Sequence, residues 1–191
     1  MARGTPEAKQ APAPLHLVQA FVNSKNLMRG YDLLATPATA IEWLAELGYE
    51  MRGRESDYEE LKQLQEIREG FRMILLSHTR SSLPLEPDVE MVTSPNLNRL
   101  LGSSSLTVSF NFTGEPVLAS SSIGYGKFKE DILAATIYAQ HTGLWPRLKA
   151  CANAGCRWIF YDSSKNRSGN WCIMEICGSR AKMRSYRKKR L

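Results

Sequence analysis

Acidic residues almost vanish from the C-terminal end of this chain. After Pro146 the last 45 residues hold two, Asp162 and Glu175, against 12 Lys and Arg, net +10; residues 1 to 146 hold 17 acidic and 13 basic residues, net −4. Histidine is also scarce: His16, His78 and His141 stand alone, and there is no H-E-x-x-H, G-x-S-x-G or phosphate-cradling Gly-rich loop with Lys. The chemistries built on those motifs lose their usual residues, and the expectation is a protein that is not an enzyme. Apolar runs are a few residues long, against the roughly 20 needed to cross a bilayer. The opening MARGTPEAKQAPAP has no apolar stretch of signal-peptide length. No membrane partner and a cytoplasmic location are therefore expected.

Of the 191 residues, 43% are hydrophobic and 23% charged, an ordinary globular composition. A chain of this size can bury roughly 70% of its unfolded surface, so its main core needs no staple. Residues 1–14, rich in Ala and Pro, are expected to form a disordered arm. A short helix follows over Leu15 to Val22. Thr36 can cap a second, with Pro37 in its first turn, Ile41, Trp43, Leu44 and Leu47 as apolar contacts and Gly48 as its stop. Ser56 and Glu59 form a capping box for the strongest helix, in which Leu61, Leu64, Ile67, Phe71, Ile74 and Leu75 recur at spacings of three and four as far as about Ser77. Residues 81–94 read as a loop, and Ser94 and Pro95 can open a short helix through Leu101. The period then changes to two: Leu106, Val108, Phe110 and Phe112 alternate with polar residues and predict a β-hairpin between Ser105 and Ser120. A last long helix, about Lys127 to Gln140, turns Phe128, Ile132, Leu133, Thr136 and Ile137 inward. Trp43, Phe71, Phe110 and Phe112 are read as core in preference to the lining of an effector pocket. No internal repeat is evident.

All four cysteines lie in the cationic end, as Cys151, four residues, Cys156, fifteen residues, Cys172, four residues, Cys177. Two matched, short-spaced pairs are the usual way to present four thiolates to a tetrahedral zinc ion. Four unpaired buried thiols, or two disulfides, are the competing readings. Four thiolates leave no open position, so the ion would be structural, one Zn²⁺ per chain. Trp158 to Tyr161 can form a strand, Asp162 to Asn170 a polar turn, and Trp171 to Ile173 the returning strand, giving a zinc-held hairpin. The remaining upstream helices would then survive removal of the metal as a separate core.

Beyond Cys177 the chain reads GSRAKMRSYRKKRL, which places Arg180, Arg184, Arg187 and Lys188 on one helical face. Lys182, Lys189 and Arg190 widen it, and Arg167 adds a cation from the polar turn. Guanidinium groups on a helix can bind phosphates or reach guanine edges in the major groove. Double-stranded DNA is the expected partner; an RNA-binding or ribosome-associated module is the alternative, with Trp158, Phe160, Tyr161 and Trp171 available to stack on bases.

The residues Cys151, Cys156, Trp171, Cys172, Cys177, Gly178, Arg180 and Lys182, within CANAGCRWIFYDSSKNRSGNWCIMEICGSRAKMRSYRKKR, resemble a CGNR zinc finger. Ser179 stands where that family carries its name-giving Asn, and Gly169 and Asn170 occupy positions that are more basic in the family. Upstream, FVNSKNL from Phe21 and DLLATPATAIEWLAELG from Asp32 resemble the ABATE domain of stress-induced transcription regulators. The resemblance implies a mostly helical N-terminal domain with a small β element, joined to a zinc module that binds DNA; the expected function is a zinc-dependent DNA-binding transcription regulator whose N-terminal domain senses a signal such as a small-molecule effector or mediates self-association as a homodimer. The expected fold is α+β and mostly helical: a disordered arm over 1–14, a multihelical domain with a small β-hairpin over 15–143, and a zinc-held hairpin-helix module with a basic C-terminal helix over 144–191. Such a regulator would work at the nucleoid.

Overall fold

A computed structural model of the chain describes residues 9–51, 57–80 and 94–188. The elements run in the order α1 (Leu15–Asn23), β1 (Lys25–Asn26), β2 (Tyr31–Asp32), α2 (Pro37–Glu46), α3 (Asp57–Arg80), α4 (Ser94–Leu101), β3 (Leu106–Phe110), β4 (Pro116–Ser120), α5 (Gly124–His141), a 3₁₀ turn (Trp145–Arg147), β5 (Leu148–Ala150), β6 (Ile159–Tyr161), a π turn (Met174–Gly178) and α6 (Ser179–Lys188). The strands pair β1 with β2, β3 with β4 and β5 with β6, all antiparallel. The fold is α+β and mostly helical.

Local chemistry sets these elements. Thr36 accepts from the Thr39 amide and Thr39 reciprocates to the Thr36 amide, a capping box that starts α2 with Pro37 in its first turn. The apolar stripe of α1 buries Leu15, Val18, Phe21 and Val22, and that of α3 buries Leu61, Leu64, Ile67, Phe71 and Leu75. Phe128 of α5 sits at the centre: Phe21, Trp43 and Tyr49 all meet it edge to face, with ring centroids 5.4, 5.7 and 5.1 Å away. Such pairs contribute about 0.5–1.5 kcal/mol each beyond area burial.

Several expectations need correction. Helix α5 starts at Gly124, which brings Tyr125 into the core, and Ile137 is 41% exposed. Its inward stripe is Phe128, Ile132, Ala135 and Ala139, and a residue two positions from both alanines falls about 200° round the helix. Phe110 and Phe112, expected in the core, stand in solvent at 72% and 101% exposure, away from the buried Phe71. The Ser56 capping box and residues 81–93 lie outside the described residues. Of the expected arm, residues 9–14 are fastened: the Lys9 carbonyl accepts from the Tyr161 amide, and the Ala11 amide donates to the buried side chain of Gln19.

The largest correction concerns the C-terminal hairpin. Ile159–Tyr161 pairs with Leu148–Ala150 rather than with Trp171–Ile173. Leu148, Ala150 and Ile159 are fully buried and belong to the same apolar core as α1, α3 and α5. Two short cysteine turns cannot enclose three apolar side chains, so these strands take their burial from the helices. The boundary between the two clusters therefore lies further along the chain than expected: β5 and β6 belong to the helical core, and the cysteines with Trp158, Trp171 and Ile176 form a second, smaller cluster.

Candidate metal centre and basic helix

The β5–β6 hairpin positions the first cysteine pair. Cys151 directly follows β5, its amide donating to the Trp158 carbonyl at 2.9 Å, and Cys156 ends the connecting turn, with its amide on the Asn153 carbonyl at 2.8 Å. Arg157 then adopts φ 51°, rarely populated by residues other than glycine, and its guanidinium returns to the Cys151 and Ala152 carbonyls. The second pair comes from the segment after Asn170, tied to the first by the Ala152 amide on the Asn170 carbonyl, and from the π turn that carries Cys177. Single π turns of this kind recur at functional sites. Gly178 suits the turn because Met174 folds over it: a Cβ there would run into the Met174 sulfur. Ser179, in the place of the CGNR asparagine, directs its hydroxyl to the Met174 carbonyl at 3.4 Å and so closes the same turn.

The four Sγ atoms lie within 4.8 Å of one another, and Cys156–Cys172 and Cys172–Cys177 are 3.7 and 3.8 Å apart. Four sulfurs about 2.3 Å from a central zinc ion have tetrahedral edges of about 3.8 Å. The donor set therefore fits one zinc ion, with every position filled by protein, which is a structural site. Hydrogen bonds to the sulfurs complete it: Asn153 Nδ2 reaches Cys177 at 3.7 Å, the Cys172 and Asn153 amides reach Cys151, and the Trp158 amide reaches Cys156. Such donors orient the ligands and tune their basicity. Among the bare thiols, hydrogen bonds from Cys156 and Cys172 pull Cys151 strongly down, while the pairing with Cys151 pushes Cys156 and Cys172 up. Only one negative charge is comfortable in so small a space, and a divalent cation removes that restriction.

A buried ion pair supports the module from beneath. Lys149 of β5 and Asp162 just after β6 are 2% and 1% exposed, with Nζ 2.9 Å from Oδ2. Lys149 also donates to the Arg167 and Gly169 carbonyls, while Asp162 accepts from the Ser164 amide and hydroxyl and from the Gly169 amide. The turn from Asp162 to Gly169 is thus wrapped around one internal charge pair. Gly169 comes so close that a Cβ would lie 2.9 Å from the Asp162 carboxyl carbon. Burial raises the Asp162 pKa, but the hydrogen bonds from Ser164, Lys149 and Gly169 outweigh it and hold the carboxyl well below the usual range.

Polar side chains of α1 and α3 join this module to the helices. Asn23 of α1 brackets Ile159, donating to its carbonyl at 2.9 Å and accepting from its amide at 2.8 Å. Thr79 of α3 donates to the Ala150 carbonyl, and Nδ1 of His78 meets the Leu148 carbonyl. Arg72, 4% exposed, donates to the Val22, Lys25 and Arg157 carbonyls and to Glu69. Glu69 also holds Arg68, whose guanidinium grips Asp32 through two bonds of 2.6 and 2.7 Å. Burial pushes Asp32 up, yet those bonds and the Leu34 amide hold it below its ordinary value. A cleft of about 440 Å³ opens above this chain of charges between α3, α4 and the β1–β2 turn, lined by Lys25, Asp32, Arg68 and Glu69 with Leu97 and Leu100.

The sequence-predicted cations fall into three groups. Arg180, Arg184 and Arg187 share one face of α6 and border a groove with Glu175, Ile176 and Met183. Lys182 is exposed but lies about 200° from Arg180 at 100° per residue, so it stands on the other side of the helix. Arg167 is exposed on the Asp162–Gly169 turn with φ 51°. Lys188 ends α6, while Lys189 and Arg190 lie outside the described residues. The aromatic candidates turn inward: Phe160 is buried, Trp158 and Trp171 pack on the cysteines, and Tyr161 packs on the main core.

Sequence reasoning missed Arg68 and Arg72, because charged residues are normally read as solvated. Their phase was the available signal, since both fall in register with the apolar stripe of Leu61, Leu64, Ile67, Phe71 and Leu75.

The geometry defines a class: a four-cysteine zinc finger that carries a basic helix and is built into a helical domain. Residues 15–118 match the ABATE family model, described as "Putative stress-induced transcription regulator", and residues 147–190 match the CGNR zinc finger. The chain belongs to the ABATE family, with the CGNR finger as its C-terminal part. No curated protein matches the chain. No helix among the described residues is long and apolar enough to cross a membrane.

Proposed function

We propose that this protein is a zinc-dependent DNA-binding transcription regulator that reads duplex DNA with α6. The observation that carries the reading is that α6 leaves directly from Cys177 and Gly178 and presents Arg180, Arg184 and Arg187 together on one exposed face. Cys151, Cys156, Cys172 and Cys177 hold the zinc ion, and the ion fixes the direction in which the helix leaves. Arg167, Lys182, Lys188, Lys189 and Arg190 supply further phosphate contacts along the groove walls. The inward packing of Trp158, Phe160 and Trp171 favours duplex binding over base stacking on single-stranded RNA. Residues 15–143 act as the sensing body and 144–191 as the reading module, in the cytoplasm at the nucleoid. The cleft beside Arg68 and Glu69 supports a small-molecule effector role, because Glu69 and Arg72 connect its wall to the carbonyl that follows Cys156.

The test is duplex DNA binding by the zinc-loaded full chain as a function of salt. With about six phosphates neutralised, log K falls against log[salt] with a slope near −5. A slope near zero, or tighter binding to single-stranded RNA than to duplex, overturns the reading.

A further inference from the structure

The β3–β4 hairpin has no counterpart in the reading above. Its base is anchored: the buried carboxylate of Glu130 accepts from the Ser105 amide and from the Ser120 and Ser122 hydroxyls. Burial raises the pKa of that carboxylate, and the three donors outweigh it and keep it low. Beyond the anchor the two strands run into solvent. No residue from Leu106 to Ser120 is buried, and β3 and β4 pair only with each other among the described residues. β4 packs on α5 and leaves Leu118 and Ala119 half-buried, but Val108, Phe110 and Phe112 stay exposed; a two-stranded hairpin with so little burial is marginal on its own in water, and stability normally requires a third strand or a packed face.

The composition of this stretch is that of an interface. From Gly102 to Gly126 the only charged residue is Glu115, whereas a chain that is 23% charged would place about six there. Glu115 is itself turned into the hairpin tip, accepting from Asn111 Nδ2 and the Thr113 hydroxyl. Loss of charge together with exposed aromatic residues marks the core of protein interfaces. Val108, Phe110 and Phe112 are 67%, 72% and 101% exposed, and Val117 and Ile123 are 40% and 67% exposed. The strands also lack the lysines and inward charges that protect free edges from pairing.

We propose that this hairpin is the contact between two copies of the chain, packed face to face or edge to edge about a two-fold axis. Area and charge both point to a second copy. A Phe side chain covers on the order of 200 Å², so Phe110 and Phe112 alone offer roughly 350 Å² per chain. Val108 and Pro116, which the register places on the same face as Phe110, bring the total for two copies to the order of 1,000 Å², about the size a specific interface must reach. A patch with one internally occupied carboxylate meets its own image without repulsion, inside a segment that is otherwise acidic.

Sedimentation velocity of the zinc-loaded full chain, over a wide range of protein concentration and without DNA, tests the proposal. The expected species has twice the 21.5 kDa mass of the chain. Phe110→Glu with Phe112→Lys, and separately Val108→Lys, are expected to halve that mass while leaving the circular dichroism spectrum and the zinc content unchanged. A monomeric wild type at the highest concentrations overturns the proposal, as does a dimer that survives both variants. Neither result depends on DNA binding, so failure here and failure of the functional reading are distinguishable.

Discussion

Replacing Asp162 by Asn removes the negative half of the Lys149–Asp162 pair at nearly constant shape. The Asn carbonyl can still accept from the Ser164 amide and hydroxyl, but its NH2 then faces the Gly169 amide and the Lys149 ammonium, and Lys149, 2% exposed, is left with only the Arg167 and Gly169 carbonyls. Breaking a buried pair from one side costs about 3–5 kcal/mol. For a domain of this size each kcal/mol moves Tm by about 2–4 °C, so thermal unfolding of the zinc-loaded variant should fall by roughly 6–20 °C. Adding Lys149→Met removes the orphaned charge, and the double variant should recover roughly 1–3 kcal/mol relative to the sum of the singles. The pH dependence carries the same signature. Because the folded pKa of Asp162 is depressed, its contribution is fully present above the unfolded value of about 3.9 and is lost as pH falls below it. Wild type and Asp162→Asn should therefore converge in stability under acid. A loss below about 2 °C, or simple additivity with Lys149→Met, refutes the assignment of this pair as the support of the finger.

Differential scanning calorimetry with and without a chelator should show one transition that moves down on metal removal, since β5 and β6 share the helical core; two separate transitions would contradict that coupling. Arg180→Ala, Arg184→Ala and Arg187→Ala should each reduce the salt slope of duplex binding by about one, and Lys182→Ala, on the other side of α6, by less. Arg72→Met should cost about 1–3 kcal/mol in denaturant unfolding, because it leaves the Val22 and Arg157 carbonyls without their donor. Burial holds the His78 pKa below its ordinary value, so its contribution declines as pH drops through about 6.5; His78→Asn should flatten that limb of the stability profile.

Much of the molecule was legible because the relevant signals are local. Thr36 and Pro37 announce α2, the alternation from Leu106 to Phe112 announces the β3–β4 hairpin, and the spacing of the four cysteines announces the metal site before any fold is known. The pairing of β6 was not legible. Trp158 to Tyr161 has the pattern of a strand, but its partner is chosen by where Leu148 and Ile159 find burial, and that depends on α3 and on α1, whose Asn23 lies 136 residues before Ile159, outside any local window. The same holds for Arg68 and Arg72, whose burial makes sense only once Asp32, Glu69 and the free carbonyls of α1 are brought around them.

The bonds from Asn23, Arg72 and Thr79 give the finger no swivel. Many two-part regulators let a reading head swing on a tether, so that a signal changes its reach. Here the β5–β6 half of the finger is held through its own carbonyls by side chains of α1 and α3. A displacement of α3 is therefore carried into the β5–β6 hairpin through the carbonyls that Arg72 and Thr79 hold.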